Sequence, residues 1–288
     1  MIRSARSFFQ GRDYLEVETP QLVTEQAPEL HIEAIPCNER FLHTSPELCM
    51  KRLLSSGYSR IFQIARVFRA GERGRCHLPE FSLLEWYRAG TDYRGLMCEC
   101  EDLFVAVSRS LGLGERIRYC GKEISLLPPW ERLTVAEAFD RYGSVSLDEA
   151  LASGLEDQII TAEVAPRLGF PRPTFLYDYP SSSGSLARLK AGMPKVAERF
   201  EIYLAGMELA NGFSELTDPR EQRERFEWEL QRRRNAGKIS YPMPERFLAA
   251  LEDMPESAGI ALGLDRMAMI FADVRRIDQV VALTPEEA

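Results

Sequence analysis

An arginine can grip a phosphate through two parallel N–H bonds while an aromatic ring stacks on a base, so a nucleotide can be held without a glycine loop. In this 288-residue chain, residues 60–69 and 80–87 read as strands separated by the polar stretch 70–79. Paired antiparallel, they bring Arg69 at the exit of the first beside Phe81 at the start of the second. A solvated strand-end arginine and a core phenylalanine would give the same spacing, and the hairpin alone leaves both readings open. Period-two alternation puts Phe81, Leu83, Glu85 and Tyr87 on one face, mixing rings with a carboxylate. Neither GxxxxGK[ST] nor GxGxxG occurs.

A second hairpin is read over residues 199–204 and 207–211, turning at Ala205 and Gly206. Leu204 then faces Met207, Tyr203 faces Glu208 and Glu201 faces Ala210. Glu201 and Glu208 share a face diagonally, ~7–8 Å apart at Cα, close enough to bracket Mg²⁺ carrying phosphate oxygens. Two acids facing water fit the spacing equally well. Strict alternation puts Asn211 on the other face unless the strand bulges near Gly212. In GIALGLDR, the glycines permit close backbone approach, and Arg266 at a helix start stands where the dipole favours phosphate.

The elements that must position these residues are legible in outline. Ile2, Ala5, Phe8 and Phe9 recur at helical spacing before Gly11, and residues 14–18 run extended up to Pro20. Ser45-Pro46 opens a helix carrying Leu48, Met50 and Leu53, ended by Gly57. A helix over 92–111 follows the first hairpin. Residues 113–198 read as an insertion, with a turn at Gly121, helices over 136–142 and 147–168, and an extended run over 175–179. Asp218, Pro219 and Glu221 start a helix whose Arg232-Arg233-Arg234 end complements its dipole. A short helix over 244–253, a strand over 259–264 and a helix over 266–271 complete the chain. No repeat or flexible linker interrupts it, so a single domain over 1–288 is expected.

With 45% hydrophobic and 28% charged residues, the composition is that of a folded globular protein. Lys and Arg number 36 against 44 Asp and Glu, and the net charge of −8 gives no general attraction for nucleic acid. Six cysteines without CxxC spacing and three histidines argue against a zinc site and for reduced thiols in the cytoplasm. No run approaches the ~18 apolar residues a membrane span needs, and no membrane association is expected.

Taken jointly, the segments resemble the signature motifs of class II aminoacyl-tRNA synthetases, and within them the lysine group. GRDYLEVETP, with Pro20, is similar to motif 1, RVFRAGERGRCHLPEFSLLEWY to motif 2 and GIALGLDR to motif 3. The likeness continues through TSPEL, PTFLYDYP and RFEIYLAGMELANGFSELTD, nearly the whole chain. It implies an α+β class II catalytic core, an antiparallel sheet flanked by helices, using ATP and Mg²⁺. It also implies Arg69 on the α-phosphate, Phe81 stacked on adenine, His77 and Arg266 at the γ-phosphate, and Glu72 in place of a motif 2 acid. Glu201 and Glu208 match the Mg²⁺ acids. The amino acid would lie against Glu47, Glu85, Tyr87, Asn211 and Glu215, whose carboxylates suit a lysine with two ammonium groups. Motif 1 implies a homodimer.

Three departures refine the resemblance. Only a few turns precede Gly11, leaving no room for the anticodon-binding domain that lysyl enzymes carry before motif 1, so tRNA is not expected as a partner. Ala261 stands where those enzymes have glycine. A methyl group there trims the pocket in favour of a shifted amine, as in β-lysine, by ~1–3 kcal/mol. Ala70, Gly71 and Leu78 replace the usual motif 2 Asn, Glu and Asn. The pattern is most similar to the branch of synthetase paralogues that ligate (R)-β-lysine to elongation factor P. The expectation is an ATP-dependent, AMP-forming ligase that activates (R)-β-lysine or lysine and passes it to a lysine side chain of elongation factor P. The alternatives are a minimal lysyl-tRNA synthetase and an inactive regulatory paralogue.

Overall fold

The computed structural model describes residues 1–288. Helix α1 (Ile2–Gln10) buries Ala5, Phe8 and Phe9 at the spacing read above. It is followed by β1 (Leu15–Glu16), shorter than the expected extended run. Three short strands that the sequence did not announce, β2 (Leu22–Val23), β3 (Ile35–Cys37) and β4 (Arg40–Leu42), form a small separate sheet. Helix α2 (Glu47–Ser55) begins where expected, with Ser45 Oγ accepting the Glu47 N–H at 3.0 Å. Strands β5 (Arg60–Phe68) and β6 (Glu80–Ala89) form the first hairpin, Val67 opposite Phe81. The Asp92 carboxylate caps α3 (Tyr93–Ser110) by accepting from the Arg94 and Gly95 N–H groups.

Within 113–198, β7 (Arg116–Tyr119) and β8 (Lys122–Ser125) form a hairpin turning at Cys120 and Gly121, both at positive φ. Next come β9 (Glu131–Thr134) and α4 (Val135–Tyr142), which starts with a Thr134–Glu137 capping box. The single helix expected over 147–168 is broken. Helix α5 (Leu147–Ser153) stops at Gly154, whose φ of 66° is left-handed. Helix α6 (Glu156–Ile159) then passes into a π turn and a 3-10 turn over Ala165–Arg167, where Pro166 has no N–H to extend the ladder. Strands β10 (Thr174–Pro180), β11 (Leu189–Lys190), β12 (Met193–Leu204) and β13 (Met207–Ser214) precede α7 (Pro219–Asn235), capped by Asp218. Helix α8 (Glu245–Ala250), β14 (Ser257–Gly263) and α9 (Leu264–Phe271) follow.

The main sheet has nine strands in the order β1-β5-β6-β14-β13-β12-β10-β9, with β11 attached to β12. Its centre is antiparallel, and only the end pairs β1–β5 and β10–β9 are parallel. The architecture is therefore the expected α+β, a mostly antiparallel sheet with helices on it. One face carries Phe62, Leu84, Trp86, Phe200, Ile202, Ile260 and Leu262 into a core with Leu96, Cys100, Leu103 and Phe104 of α3. The opposite face holds the alternate residues of β6, β14, β13 and β12, which carry the chemistry. All six cysteines are free, and no helix is long and apolar enough to cross a membrane.

Candidate active site

The chemistry-bearing face opens into a cleft of about 440 Å³. Four adjacent strands place Glu85, Ala261, Asn211 and Glu201 directly opposite one another in a row. At ~4.8 Å per strand, the row spans about 14 Å from Glu85 to Glu201. One register expectation is corrected. Glu201 faces Asn211, not Ala210, because Leu209 is an extra residue between the Tyr203–Glu208 and Ile202–Ala210 pairs. The bulge lies at Leu209 rather than near Gly212, and it turns Asn211 into the cleft.

At one end stand the arginines. The Arg69 guanidinium lies 5.1 Å from the Phe81 ring centroid and 3.9 Å from Glu72, and its Nε is buried without a partner. Arg266, at the first turn of α9, donates through Nη1 to the Glu208 carbonyl at 2.8 Å and through Nε to the Cys76 carbonyl at 3.3 Å. Its Nη2 meets His77 Nε2 at 2.5 Å. Burial, and then the Arg266 charge, hold the His77 pKa below its ordinary value, so the imidazole is neutral and accepts from the guanidinium. The 70–79 loop is fastened from outside: the Ile277 N–H donates to the Arg75 carbonyl at 2.9 Å, and Arg73 pairs with Asp278 and Glu286.

In the middle are Glu201 and Glu208. Tyr179 and Tyr203 donate to Glu201 Oε2 at 2.6 and 2.7 Å, and Arg199 donates to Oε1 at 2.6 Å. Loss of water in the cleft, and then the Glu201 charge, raise the Glu208 pKa. Two hard oxygen donors in mutual repulsion fit a divalent cation. No cluster of three or more acidic, histidine or cysteine side chains completes a metal shell, so the remaining ligands would be phosphate oxygens and water. Arg199 also donates through Nε to Asn211 Oδ1 at 3.1 Å, which leaves the Asn211 amide NH₂ as the group it can offer a ligand.

At the other end Glu85 and Glu215 are sealed from water. Glu85 is fully buried and accepts from Ser45 Oγ at 2.6 Å and from the Tyr87 hydroxyl at 2.9 Å. Burial, and then the nearby Glu47, push its pKa up to about 7. Glu29, on the loop before β3, lines the same cleft and is likewise pushed up to about 7 by burial and Glu47. Of the thirteen site residues expected from the sequence, all but Glu215 line this cleft. Glu215 lies one layer behind the wall, buried, with its pKa raised to about 8 by desolvation that the charge of Lys51 only partly offsets. A Cβ at Gly259 would sit 2.2 Å from the Tyr87 ring and 2.5 Å from Glu215 Oε1, so only glycine lets both close in there.

Residues 1–287 match the family described as tRNA synthetases class II (D, K and N). The chain belongs to this family. Among curated relatives, it is 40% identical to the elongation factor P–(R)-β-lysine ligase of Proteus mirabilis, over 98% of this chain and 92% of that protein. It is 38% identical to the enzyme of that name from Edwardsiella ictaluri, over 100% and 94%, and 37% identical to that from Vibrio cholerae, over 98% and 92%. In this class II synthetase core, sequence reasoning missed Glu29, Lys51 and Arg199. Glu29 sits in a loop without pattern, Lys51 looks like a solvated helix residue, and the contacts of Arg199 follow from the Leu209 bulge.

Proposed function

We propose that this protein activates (R)-β-lysine with ATP and passes it to a lysine side chain of elongation factor P. The observation that carries the reading is its 38–40% identity, over nearly its whole length, to ligases of that name. The cleft supports it, with guanidinium groups at one end and carboxylates at the other. In the first step a carboxylate oxygen of the amino acid attacks the α-phosphorus. The bond to pyrophosphate breaks in line, leaving a β-lysyl adenylate. No side-chain nucleophile is needed. Arg69 and Arg266 take up charge on the phosphates, His77 supports Arg266, and Phe81 stacks on the base with Glu72 beside it. Glu201 and Glu208 would hold Mg²⁺, which when bound would neutralise phosphate oxygens.

Asn211 offers its amide NH₂ to the substrate carboxylate, while the amines lie toward Glu47, Glu85 and Tyr87, with Glu215 behind them and Ala261 shaping the floor. In the second step the neutral acceptor amine attacks the acyl carbon, AMP leaves, and an amide forms with loss of a proton. We further propose a cytoplasmic homodimer. The six free thiols suit a reducing compartment, and the exposed Leu15 and Leu22 of the motif 1 region offer apolar surface to a second copy. Sedimentation as a monomer would count against the dimer. Incubation with ATP, (R)-β-lysine and elongation factor P should add one β-lysyl group to one lysine of the factor. Charging of tRNA with α-lysine and no modification of the factor would overturn the reading in favour of a minimal synthetase.

A further inference from the structure

Lys51 is the most deeply buried cation near the cleft. Its side chain is 1% exposed, and its ammonium lies 2.6 Å from Glu47 Oε1 and 2.5 Å from Glu215 Oε2. The Phe213 and Phe247 rings close over it at 4.9 and 5.9 Å. Glu47 reaches forward to line the cleft, whereas Glu215 lies behind the wall and has an Oε1 with no hydrogen-bond donor. The charged or titratable groups facing Lys51 are Glu47 from its own helix and Glu215 from the end of β13, with Glu85 and Tyr87 of β6 beyond them. A buried ammonium is costly unless paired on every side. Burial works against the Lys51 charge, but Glu215 and Glu47 outweigh it and hold its pKa above the ordinary lysine value.

We propose that Lys51 is a positioning residue for amino-acid recognition: from behind the wall its ammonium fixes Glu47 and balances Glu215, so that Glu47 and Glu85 face the substrate amine in one arrangement. This rests on the function proposed above. Without Lys51, the Glu47 and Glu215 carboxylates face each other with no cation between them, and Glu215, whose pKa is already raised, favours a proton or an altered rotamer. The substrate amine then meets a misaligned and partly neutral wall. Because Lys51 Nζ occupies Glu47 Oε1, the other oxygen of Glu47 is the one available to a ligand. The substrate thus does not compete with Lys51.

The experiment compares the full-length protein with Lys51→Met and with Lys51→Met/Glu215→Gln, by ATP–pyrophosphate exchange across pH and by thermal melting. Lys51→Met should raise KM for the lysine substrate roughly tenfold to a hundredfold, the loss expected when a charge-assisted contact is misplaced. KM for ATP should stay within about twofold. The acidic limb of kcat/KM for the amino acid should move to higher pH, because Glu215 loses the cation that favours its ionised form. The double variant, which removes both charges, should return the limb toward its original place while KM for the amino acid stays raised, because Glu47 still lacks the ammonium that fixes it. Equal losses for amino acid and ATP, or an unmoved acidic limb in a folded Lys51→Met protein, would overturn the proposal.

Melting separates this from failure of the functional reading. If the unaltered protein exchanges with no lysine isomer, the function proposed above falls, while the melting profile still tests Lys51. A carboxyl group whose folded pKa is raised lends stability that is lost as pH rises. In Lys51→Met the Glu215 pKa rises further, so that variant should go on losing stability above about pH 8, where the parent has already ionised Glu215. A parallel loss in both proteins removes the electrostatic role.

Discussion

The two ends of the cleft solve opposite problems. At the arginine end, Arg69 and Arg266 keep about a quarter of their side chains in solvent, at 24% and 23%. At the carboxylate end, Glu85 and Glu215 are 0% and 1% exposed. A guanidinium stays charged at any accessible pH and can be left half in water. A buried carboxylate cannot, and pKa values of about 7 and about 8 record the cost of sealing it. Rate should therefore depend most on the open end, and substrate choice and pH dependence on the closed one.

The sharpest way to break that contrast is at the open end. Arg69→Ala or Arg266→Ala should lower the maximal rate of ATP–pyrophosphate exchange by ~10²–10³, the loss seen when one preorganised charge-stabilising donor is removed, with little change in KM for the amino acid. Glu85→Gln should act the other way, lowering kcat/KM for the lysine substrate by roughly 30–100-fold through loss of a charge-assisted bond. Its KM for ATP should hold. If Glu85→Gln instead weakened ATP, the division into two ends would be wrong.

Acidity reads the same contrast without mutation. In the role proposed for it Glu85 must be ionised to hold an ammonium group, and its raised pKa means that it gains a proton as pH falls through about 7. Below that point kcat/KM for the amino acid should fall by up to ~10-fold per pH unit, while KM for ATP changes much less. Steady-state kinetics across pH measures both. The smallest effect is expected at the floor of the pocket. Ala261→Gly removes one methyl group and should shift preference from β-lysine toward α-lysine by about tenfold, near the lower end of a methylene's worth.

The sequence made the first hairpin and its faces legible because period-two alternation in β5 and β6 survives intact. Arg69 beside Phe81, and the row of Glu85 and Tyr87, follow from it. The Leu209 bulge is not legible in the sequence, since an inserted residue leaves no mark in composition and only cross-strand pairing reveals it. Gly154 and Pro166 lie in plain view inside 147–168, yet the apolar spacing around them masked the break. Lys51 and Glu215 were beyond reach for a different reason: their pairing joins the middle of α2 to the end of β13, and charge in a sequence does not say whether it is solvated.

One measurement bears on the whole picture: ATP–pyrophosphate exchange by the purified protein with (R)-β-lysine, (S)-β-lysine, α-lysine and aspartate side by side. A cleft with a cationic end for phosphates and a sealed anionic end for amines should give exchange with (R)-β-lysine above the other lysine isomers and none with aspartate. Exchange driven by aspartate, or by no lysine isomer at all, would contradict it.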